Sequence, residues 1–378
     1  MLRAVSLYFR RRAERKNVRS VLDTRKLWEE ELAPLPPAVT RAQTLAVIRL
    51  DDIGDYLLYR NFLPEYRIGK WAGYELTFIG NLAWKSLFEA FDGAAADHTV
   101  WIDKNRYFGD LAYRLDLWRQ LRDAGFSAVI CPSRTRPLLL DDMLALAIAA
   151  PERLAVANTF TVPEWNMVSD DHYNRLFSAG ATLYEFVFNR QFSNWVNDGN
   201  NEQQLPGLPP VAESRQEHIV CFIGASAKSR RWPQSHWITL VQLLQQQGLQ
   251  PVVAGGRQDQ PVAEAIASAT GIKSYAGKTS LPETMELIAT SRAVISGDTM
   301  AAHAAVSYGR PLVVLGNGSN EPRFVRFEGL GLKHAVTLHT KAYRRHLASG
   351  SQRRFMAVSK DMATILPKEV ASTLLRLL

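Results

Sequence analysis

The turn at residues 224–233, GASAKSRRWP, carries residue types that bind phosphate groups. It follows an apolar run at 219–223 that predicts a buried strand, and it precedes a helix-like segment at 234–247. In open parallel sheets the end of a strand faces the ligand crevice. Lys228, Arg230 and Arg231, with the backbone N–H groups that follow Gly224, therefore suit a phosphate-bearing ligand. A solvated basic loop has the same composition, and this loop alone leaves both interpretations open.

A second turn, RLDDIGD at residues 49–55, crowds three carboxylates after a predicted strand at 45–50. Gly54 permits a tight backbone. Asp55 is predicted in the first helical turn, where the helix dipole favours its ionised form, and an ionised carboxylate in a crevice can take a proton from a hydroxyl. Helix capping is the alternative. Residue chemistry favours capping for Asp51 and Asp52 and leaves Asp55 undecided.

A third turn, SGDTMAAH at residues 296–303, again joins a predicted strand to a helix. Asp298 is predicted as the N-cap, and the small residues after Met300 let the helix approach a neighbour closely. We expect His303 near the exposed face of the first turn, where it could donate to a phosphate. A lone histidine is more often structural, but this one shares a crevice edge with the other two turns.

Two further loops lie in the same half of the chain. AGGRQD at 254–259 has paired glycines that allow a close ligand, and Asp259 could accept hydrogen bonds from a ribose. It lacks the full G-x-G-x-x-G pattern, so nicotinamide-cofactor binding is not supported. In AGKTSLPE at 276–283, Ser280 and Glu283 predict a capping box, which is mainly a structural signal.

The elements that position these turns alternate along the 378 residues, which is typical of parallel sheets with helices on both faces. A Gly-, Asn- and Pro-rich stretch at 197–210 marks a boundary between two α/β domains of similar size. Residues 151–195 read as less regular. The predicted strands are 45–50, 74–79, 99–102, 128–131, 219–223, 250–254, 273–276, 293–296 and 311–315; the predicted helices are 55–66, 82–91, 108–124, 137–149, 234–247, 260–270, 281–289, 299–308 and 360–378.

The net charge of +8 is unevenly distributed. Residues 1–20 carry a balance of +6, mixed with apolar side chains, and a second basic cluster extends from Lys341 to Arg354. Such clusters point to anionic partners. The first segment reads either as a basic amphipathic helix on a membrane or as a solvated tail. No secretory signal is evident, and Cys131 and Cys221 are expected to be buried, reduced thiols of a cytoplasmic protein.

Taken in order, RLDDIGD, GASAKSRRWP, AGGRQD, AGKTSLPE and SGDTMAAHAAVSYGRPLVVL resemble glycosyltransferase family 9, the ADP-heptose:lipopolysaccharide heptosyltransferases, over residues of about 45 to 330. The resemblance implies a GT-B fold of class α/β, with two Rossmann-like domains facing a central cleft. It divides the chain into a basic segment at 1–40, an acceptor-binding domain at 41–205, a nucleotide-sugar-binding domain at 206–340, and a basic segment with a helix at 341–378 that returns to the first domain.

The resemblance also implies an inverting transferase with roles for individual residues. Asp55 matches the catalytic aspartate. The donor set implied is Gly224, Lys228, Arg230, Arg231, Asp259, Thr279, Asp298, Thr299, Met300 and His303, with Arg230 at the diphosphate, Asp259 at the ribose and Thr279 near the base. No metal or other cofactor is expected. The expected partners are a nucleotide sugar, ADP-linked in the simplest case, and an anionic glycolipid or glycan, with contact to the inner face of the cytoplasmic membrane.

Three departures from the family pattern put the donor sugar in doubt. Asp51 and Asp52 stand where small or hydroxyl residues are usual, and their charges could raise the pKa of Asp55. Met300 replaces a frequent glycine, and the turn at 316–322 reads GNGSNEP. A transferase for another sugar of O-antigen or capsule, and a non-catalytic nucleotide-sugar or glycan binder, therefore stay as alternatives. Nucleic-acid binding is not expected, because no recognition module is present.

Overall fold

The computed structural model describes residues 18–158, 163–178, 180, 184–211, 215–321, 323–325, 327, 330–351, 355 and 358–378. Residues 1–17 of the basic N-terminal segment lie outside these residues, as do Arg353 and Arg354 of the second basic cluster and Pro322 of the 316–322 turn. The described residues form two parallel sheets with helices packed on them.

The first sheet has six parallel strands in the order β3-β2-β1-β4-β5-β6. These strands are β1 Thr44–Arg49, β2 Glu75–Asn81, β3 His98–Ile102, β4 Ala128–Cys131, β5 Glu152–Val156 and β6 Arg175–Phe177. All six residues of β1 are buried. A continuous buried run is what a parallel strand covered on both faces requires.

The second sheet has five parallel strands in the order β11-β10-β9-β7-β8. These strands are β7 His218–Phe222, β8 Gln250–Ala254, β9 Ala293–Gly297, β10 Leu312–Gly316 and β11 Ala335–His339. In each sheet the direction of strand addition reverses once, between β1 and β4 in the first and between β7 and β9 in the second. Ligands of such sheets bind outside the strand ends at this reversal.

Helices flank both sheets. They are α1 at 18–32, α2 Ile53–Tyr59, α3 Glu65–Ile68, α4 Lys85–Phe91, α5 Lys104–Gly109, α6 Leu111–Asp123, α7 Met143–Ile148, α8 Pro163–Asp170, α9 Glu185–Asn197, α10 Gln234–Gln246, α11 Gln260–Thr270, α12 Leu281–Thr290, α13 Met300–Ser307, α14 Lys341–Ala348 and α15 Pro367–Leu377. A π-helical turn, Leu138–Asp142, precedes α7.

Four predictions about elements are wrong. The helix expected at 55–66 ends at Tyr59 and continues as a 3₁₀ turn, Arg60–Phe62. The strand expected at 273–276 is only a bridge between Val253 and Ser274. Residues 151–195 are more regular than expected, since they supply β5, β6, α8 and α9, and the sequence analysis missed β11 and α14.

The C-terminal helix does not return to the first domain, so that prediction is also wrong. Helix α15 packs against α10 and β10 of the second sheet. Ile365, Val370 and Leu374 join a buried cluster with Ile219 of β7. The physical reason is the apolar stripe of α15, which covers a face of the second sheet that would otherwise be exposed.

The two halves meet through a shared apolar cluster. Residues of α2, such as Tyr56, and residues of α13, such as Ala301, belong to the same buried group. Cys131 and Cys221 are buried free cysteines, as expected. Among the described residues, no helix combines the length and hydrophobicity needed to cross a bilayer.

Candidate functional site

A cleft of about 960 Å³ lies between the carboxyl ends of the two sheets. Both predicted halves of the site contribute to its walls. From the first half come, among others, Asp51, Asp52, Asp55, Asn81, Lys104 and Asp141, and from the second come Gly224, Arg230, Asp259, Thr279, Asp298, Thr299, Met300, His303 and Arg323. The fold therefore brings most of the predicted site residues together.

Asp55 lies in the first turn of α2 at the wall of this cleft. Its side chain is 16% exposed. Burial raises the pKa of Asp55 well above its ordinary value, and the charges of Asp51 and Glu185 raise it further, while Arg323 and Arg49 act in the opposite direction. The expected effect of a neighbouring aspartate is thus present, but burial is the larger cause. A carboxylate with a raised pKa is a stronger proton acceptor once it is ionised.

Asp51 and Asp52 do not cap α2 with their side chains, which contradicts the predicted capping. Asp52 occupies the N-cap position but makes no side-chain hydrogen bond there. Asp51 accepts a hydrogen bond from Nε of the buried Arg49 at 2.8 Å instead. The buried guanidinium explains this, because an ion pair with Arg49 offsets more burial cost than a neutral cap would.

Sequence reasoning missed two charged residues that stand beside Asp55. Arg323 donates to Glu185 through Nε at 2.7 Å and through Nη2 at 2.9 Å, and the same Nη2 lies 3.5 Å from Oδ1 of Asp55. Glu185 is fully buried at the start of α9. One signal could have revealed it: a lone glutamate inside the aromatic run YEFVF at 184–188 needs a buried cation.

Glu185 is an ionised carboxylate despite its burial. Burial alone would raise its pKa, but the guanidinium groups of Arg323, Arg49 and Arg134 outweigh that effect and hold the pKa of Glu185 below its ordinary value. Nη1 of Arg134 is 3.6 Å from Glu185, and Nη2 of Arg49 is 4.0 Å away. The charge of Glu185 is therefore a fixed part of the site.

The basic turn after β7 places one of its three cations in the cleft. Arg230 lines the cleft and donates through Nη1 to the backbone oxygen of Asp298 at 2.9 Å. Gly224 lines it as well. Lys228 and Arg231 are not among the lining residues: Lys228 is exposed, and Arg231 lies 3.5 Å from the Asp259 carboxylate. The buried Trp232 that follows directs this end of the turn toward α15.

At the turn after β9, the N-cap of α13 is Thr299 and not the predicted Asp298. The Thr299 side chain accepts from the backbone N–H of Ala301 at 3.4 Å. Asp298 is buried and interacts with Arg230 and Asn320 instead. Burial raises the pKa of Asp298, with Arg230 and Asn320 partly opposing the shift. Met300 lines the cleft at the first residue of α13.

His303 is buried rather than near an exposed face, which corrects that expectation. It is 3% exposed, and its Nδ1 has no hydrogen-bond partner among the described residues. Burial lowers the pKa of His303 to about 4, so the ring is neutral at pH 7. The ring packs across the domain interface, where a Cβ on Gly54 would lie 3.0 Å from its Cδ2. As a neutral ring it can donate a single N–H toward the cleft.

Asp259 and Thr279 line the cleft but already have intramolecular partners. Asp259 accepts from the backbone N–H of Gly256 at 3.0 Å, and a Cβ on Gly224 would lie 2.7 Å from its Oδ2. The Thr279 hydroxyl lies 2.9 Å from the Thr284 hydroxyl. Gly224 is thus required for the close approach of Asp259. Both polar groups keep lone pairs that a ribose or a base could use.

Asp141 is a further carboxyl group in the wall of the cleft. It lies in the π-helical turn and is 2% exposed. Burial raises the pKa of Asp141 to about 7, with further upward contributions from Asp51 and Asp142. π-helical turns are frequent at functional sites. The wall of the cleft that the first half supplies is consequently rich in carboxyl groups.

Comparison with known proteins gives a consistent assignment. Residues 189–345 match the sequence pattern of glycosyltransferase family 9 (heptosyltransferase). A lipooligosaccharide heptosyltransferase 2 of Haemophilus influenzae is 34% identical over 102 residues. That match covers 25% of this chain and 29% of the relative, so the sequence similarity spans less than a third of the relative's length. The resemblance to family 9 is confirmed.

The folds agree over almost the whole chain. The structure of Escherichia coli ADP-heptose LPS heptosyltransferase II aligns with 88% of this chain and 98% of its own, with a TM-score of 0.65 at 16% identity. The E. coli heptosyltransferase WaaC with ADP aligns with 89% of this chain and 100% of its own, with a TM-score of 0.66 at 14% identity. The predicted GT-B fold is confirmed.

Proposed function

We propose that the chain is an inverting glycosyltransferase that moves a sugar, heptose from ADP-heptose in the simplest case, onto a lipopolysaccharide or related cell-surface glycan. The observation that carries this proposal is the position of Asp55. The Asp55 carboxylate, whose pKa is raised, lies across the cleft from the turn that carries Arg230 and suits phosphate groups. A protein that only binds a nucleotide sugar needs the basic turn but does not need a general base.

In this mechanism Asp55 takes the proton of an acceptor hydroxyl. The hydroxyl oxygen forms a bond to the anomeric carbon of the donor, and the bond from that carbon to the phosphate oxygen breaks. The electron pair leaves with the nucleoside diphosphate. Arg230 and the backbone N–H groups at the start of α13 stabilise the negative charge that grows on the leaving group.

The donor assignment rests on the second half of the cleft. Asp259 and Thr279 are the polar groups there that could hold the ribose and the base. The acceptor assignment rests on the first half and on the relatives, which include a lipooligosaccharide heptosyltransferase and an ADP-heptose LPS heptosyltransferase. Exposed basic residues on α14, Lys341 and Arg345, would favour contact with an anionic membrane surface.

Replacement of Asp55 by asparagine tests the central assignment. General bases contribute about 10² to 10⁴ in rate, so transfer by Asp55→Asn should fall by a factor in that range. Nucleotide binding should persist, because Asp55 lies on the opposite wall from Arg230. The measurements are the transfer rate with ADP-heptose and a lipopolysaccharide-core acceptor, and the melting temperature with saturating ADP, UDP, GDP or CDP.

Asp116→Asn, on the exposed face of α6, is the matched control and should retain full transfer. A ligand at about 100 times its Kd adds ~2.7 kcal/mol to the free energy of unfolding, enough for a clear shift in melting temperature. A selective shift with a nucleotide other than ADP would overturn the heptose donor but keep the mechanism. Undiminished transfer by Asp55→Asn would overturn the base assignment.

A further inference from the structure

Arg323 joins the two halves of the molecule at the position of Asp55. It belongs to the loop after β10 in the second half, whereas Glu185 begins α9, which packs on α2 of the first half. Nε and Nη2 of Arg323 donate hydrogen bonds to the two carboxylate oxygens of Glu185 at 2.7 and 2.9 Å. Nη2 also lies 3.5 Å from the Asp55 carboxylate.

The backbone and neighbouring rings reinforce this contact. The backbone N–H of Glu185 donates to the backbone oxygen of Arg323 at 2.8 Å. The ring of Tyr184 meets the ring of Phe327 edge-on, with centroids 6.3 Å apart. The loop is therefore docked on the start of α9 by backbone, charge and aromatic contacts together, and the docking fixes where the guanidinium stands.

We propose that Arg323 is a positioning residue that the second domain supplies to the catalytic carboxylate Asp55, and that Glu185 sets how much of its charge Asp55 receives. This inference rests on the proposed function, in which Asp55 is the general base. A guanidinium binds a carboxylate more strongly through two hydrogen bonds than through one. Arg323 therefore interacts mainly with Glu185, and its contact with Asp55 is longer and weaker.

The charges around Asp55 are balanced by number. Three guanidinium groups, of Arg49, Arg134 and Arg323, face three carboxyl groups, of Asp51, Asp55 and Glu185. Asp52 is exposed beside this cluster, and His303 faces it from α13 as a neutral ring. Loss of Arg323 leaves a net negative cluster, whereas loss of the Glu185 charge releases Arg323 to Asp55.

This arrangement ties the base to closure of the cleft. If the domains separate, Arg323 leaves with the second domain and Asp55 loses a stabilising cation. The positioning of Asp55 by Arg323 therefore operates only while the cleft is closed. Opening also exposes the Asp55 carboxyl to water, which removes the burial that is the largest cause of its raised pKa.

The test measures the pKa of Asp55 by NMR titration. The sample is the full-length protein with ¹³C at the aspartate carboxyl carbons, and the signal that disappears in Asp55→Asn is assigned to Asp55. Arg323→Gln should raise the pKa of Asp55 by about one unit or more, and Glu185→Gln should lower it by a similar amount. Arg119→Gln, which removes an exposed guanidinium on α6, is the control and should leave it unchanged.

A transfer assay adds a second measurement, the pH dependence of kcat/KM, which would not change if Arg323 had a purely structural role. The acid limb of the kcat/KM profile should shift with the pKa of Asp55 in each variant, while the KM for the donor stays within about twofold. Arg323→Lys keeps the charge and should restore most of the wild-type profile. It also serves as the second variant if Glu185→Gln fails to fold.

Shifts of the Asp55 pKa in the same direction in both Gln variants, or no shift in Arg323→Gln, would overturn the proposal. If the wild-type protein transfers no sugar but the NMR titrations move in opposite directions, the charge coupling stands and the proposed transferase function fails. The two failures are therefore distinguishable.

Discussion

At the scale of single residues, the cleft contains carboxyl groups whose ionisation costs stability. Asp141 is the clearest, since burial and the charges of Asp51 and Asp142 raise its pKa to about 7. In the unfolded chain its pKa returns to the ordinary value near 4. The folded state thus binds the proton more tightly, and the free energy of unfolding falls as the pH rises through the interval from about 4 to 7.

Asp141→Asn should therefore be more stable relative to wild type at pH 8 than at pH 5. The expected difference between the two pH values is on the order of 2 kcal/mol, because over most of this interval unfolded wild type has released the Asp141 proton that the folded state retains up to about pH 7. Urea unfolding of both proteins at both pH values measures it. Asp116→Asn should show no such pH dependence, and an equal effect of Asp141→Asn at pH 5 and pH 8 would contradict the assignment.

Local motifs identified Asp55 but missed the charged residues that contact it. Asp55, Arg230 and Thr299 stand at strand ends, where the turn sequence marks them. Arg323 and Glu185 carry no such mark, because their importance arises from a contact 138 residues apart in sequence. The same limit explains the error for Asp298, whose neighbours Arg230 and Asn320 are distant in the chain.

At the scale of elements, the site depends on the close approach of α2 and α13. Gly54 of α2 faces His303 of α13, and a Cβ at this position would lie 3.0 Å from Cδ2 of the ring. The His303 ring is buried and lies 5.9 Å from the Phe324 ring, centroid to centroid, so it has little room to yield. The glycine sets the spacing between Asp55 and the turn at the start of α13.

Gly54→Ala should destabilise the protein by about 1 kcal/mol net, since overpacking costs about 1–3 kcal/mol and helix propensity returns about 1 kcal/mol. Transfer should fall together with stability, because Asp55 is the next residue. Gly109→Ala is the control: it also adds a methyl group in a short helix, but no atom lies within 4 Å of the added Cβ. Equal stabilisation by both substitutions, measured by chemical denaturation, would argue against a tight interface.

Most elements of the fold follow from hydrophobic patterning, and the exceptions have identifiable causes. The strands around each turn were predictable from continuous apolar runs such as LAVI in β1 and AVI in β9. β6 was not, since it is short and largely exposed at the sheet edge. The strand expected at 273–276 has the right residues but pairs with β8 only through Ser274.

At the scale of the whole molecule, helix α15 stabilises the second half. Helix α15 packs on α10 and β10, and Trp232 of the basic turn donates through Nε1 to the backbone oxygen of Ile365 at 3.0 Å. The segment that carries Arg230 is thereby fixed from behind by the C-terminal residues. Damage to α15 should weaken the second half and its ligand site and spare the first.

Leu374→Ala tests this division of the molecule. Leu374 is fully buried, so its truncation should cost about 2–5 kcal/mol, whereas Leu375→Ala, at a side chain that is 42% exposed, should be nearly neutral. Hydrogen exchange followed by mass spectrometry should rise in β7, β10 and α10 of Leu374→Ala and stay unchanged in β1 and β2. If the proposed donor site lies at the ends of β7 and β10, saturating nucleotide should restore part of the lost protection there. Faster exchange confined to the first sheet would show instead that α15 supports the first half.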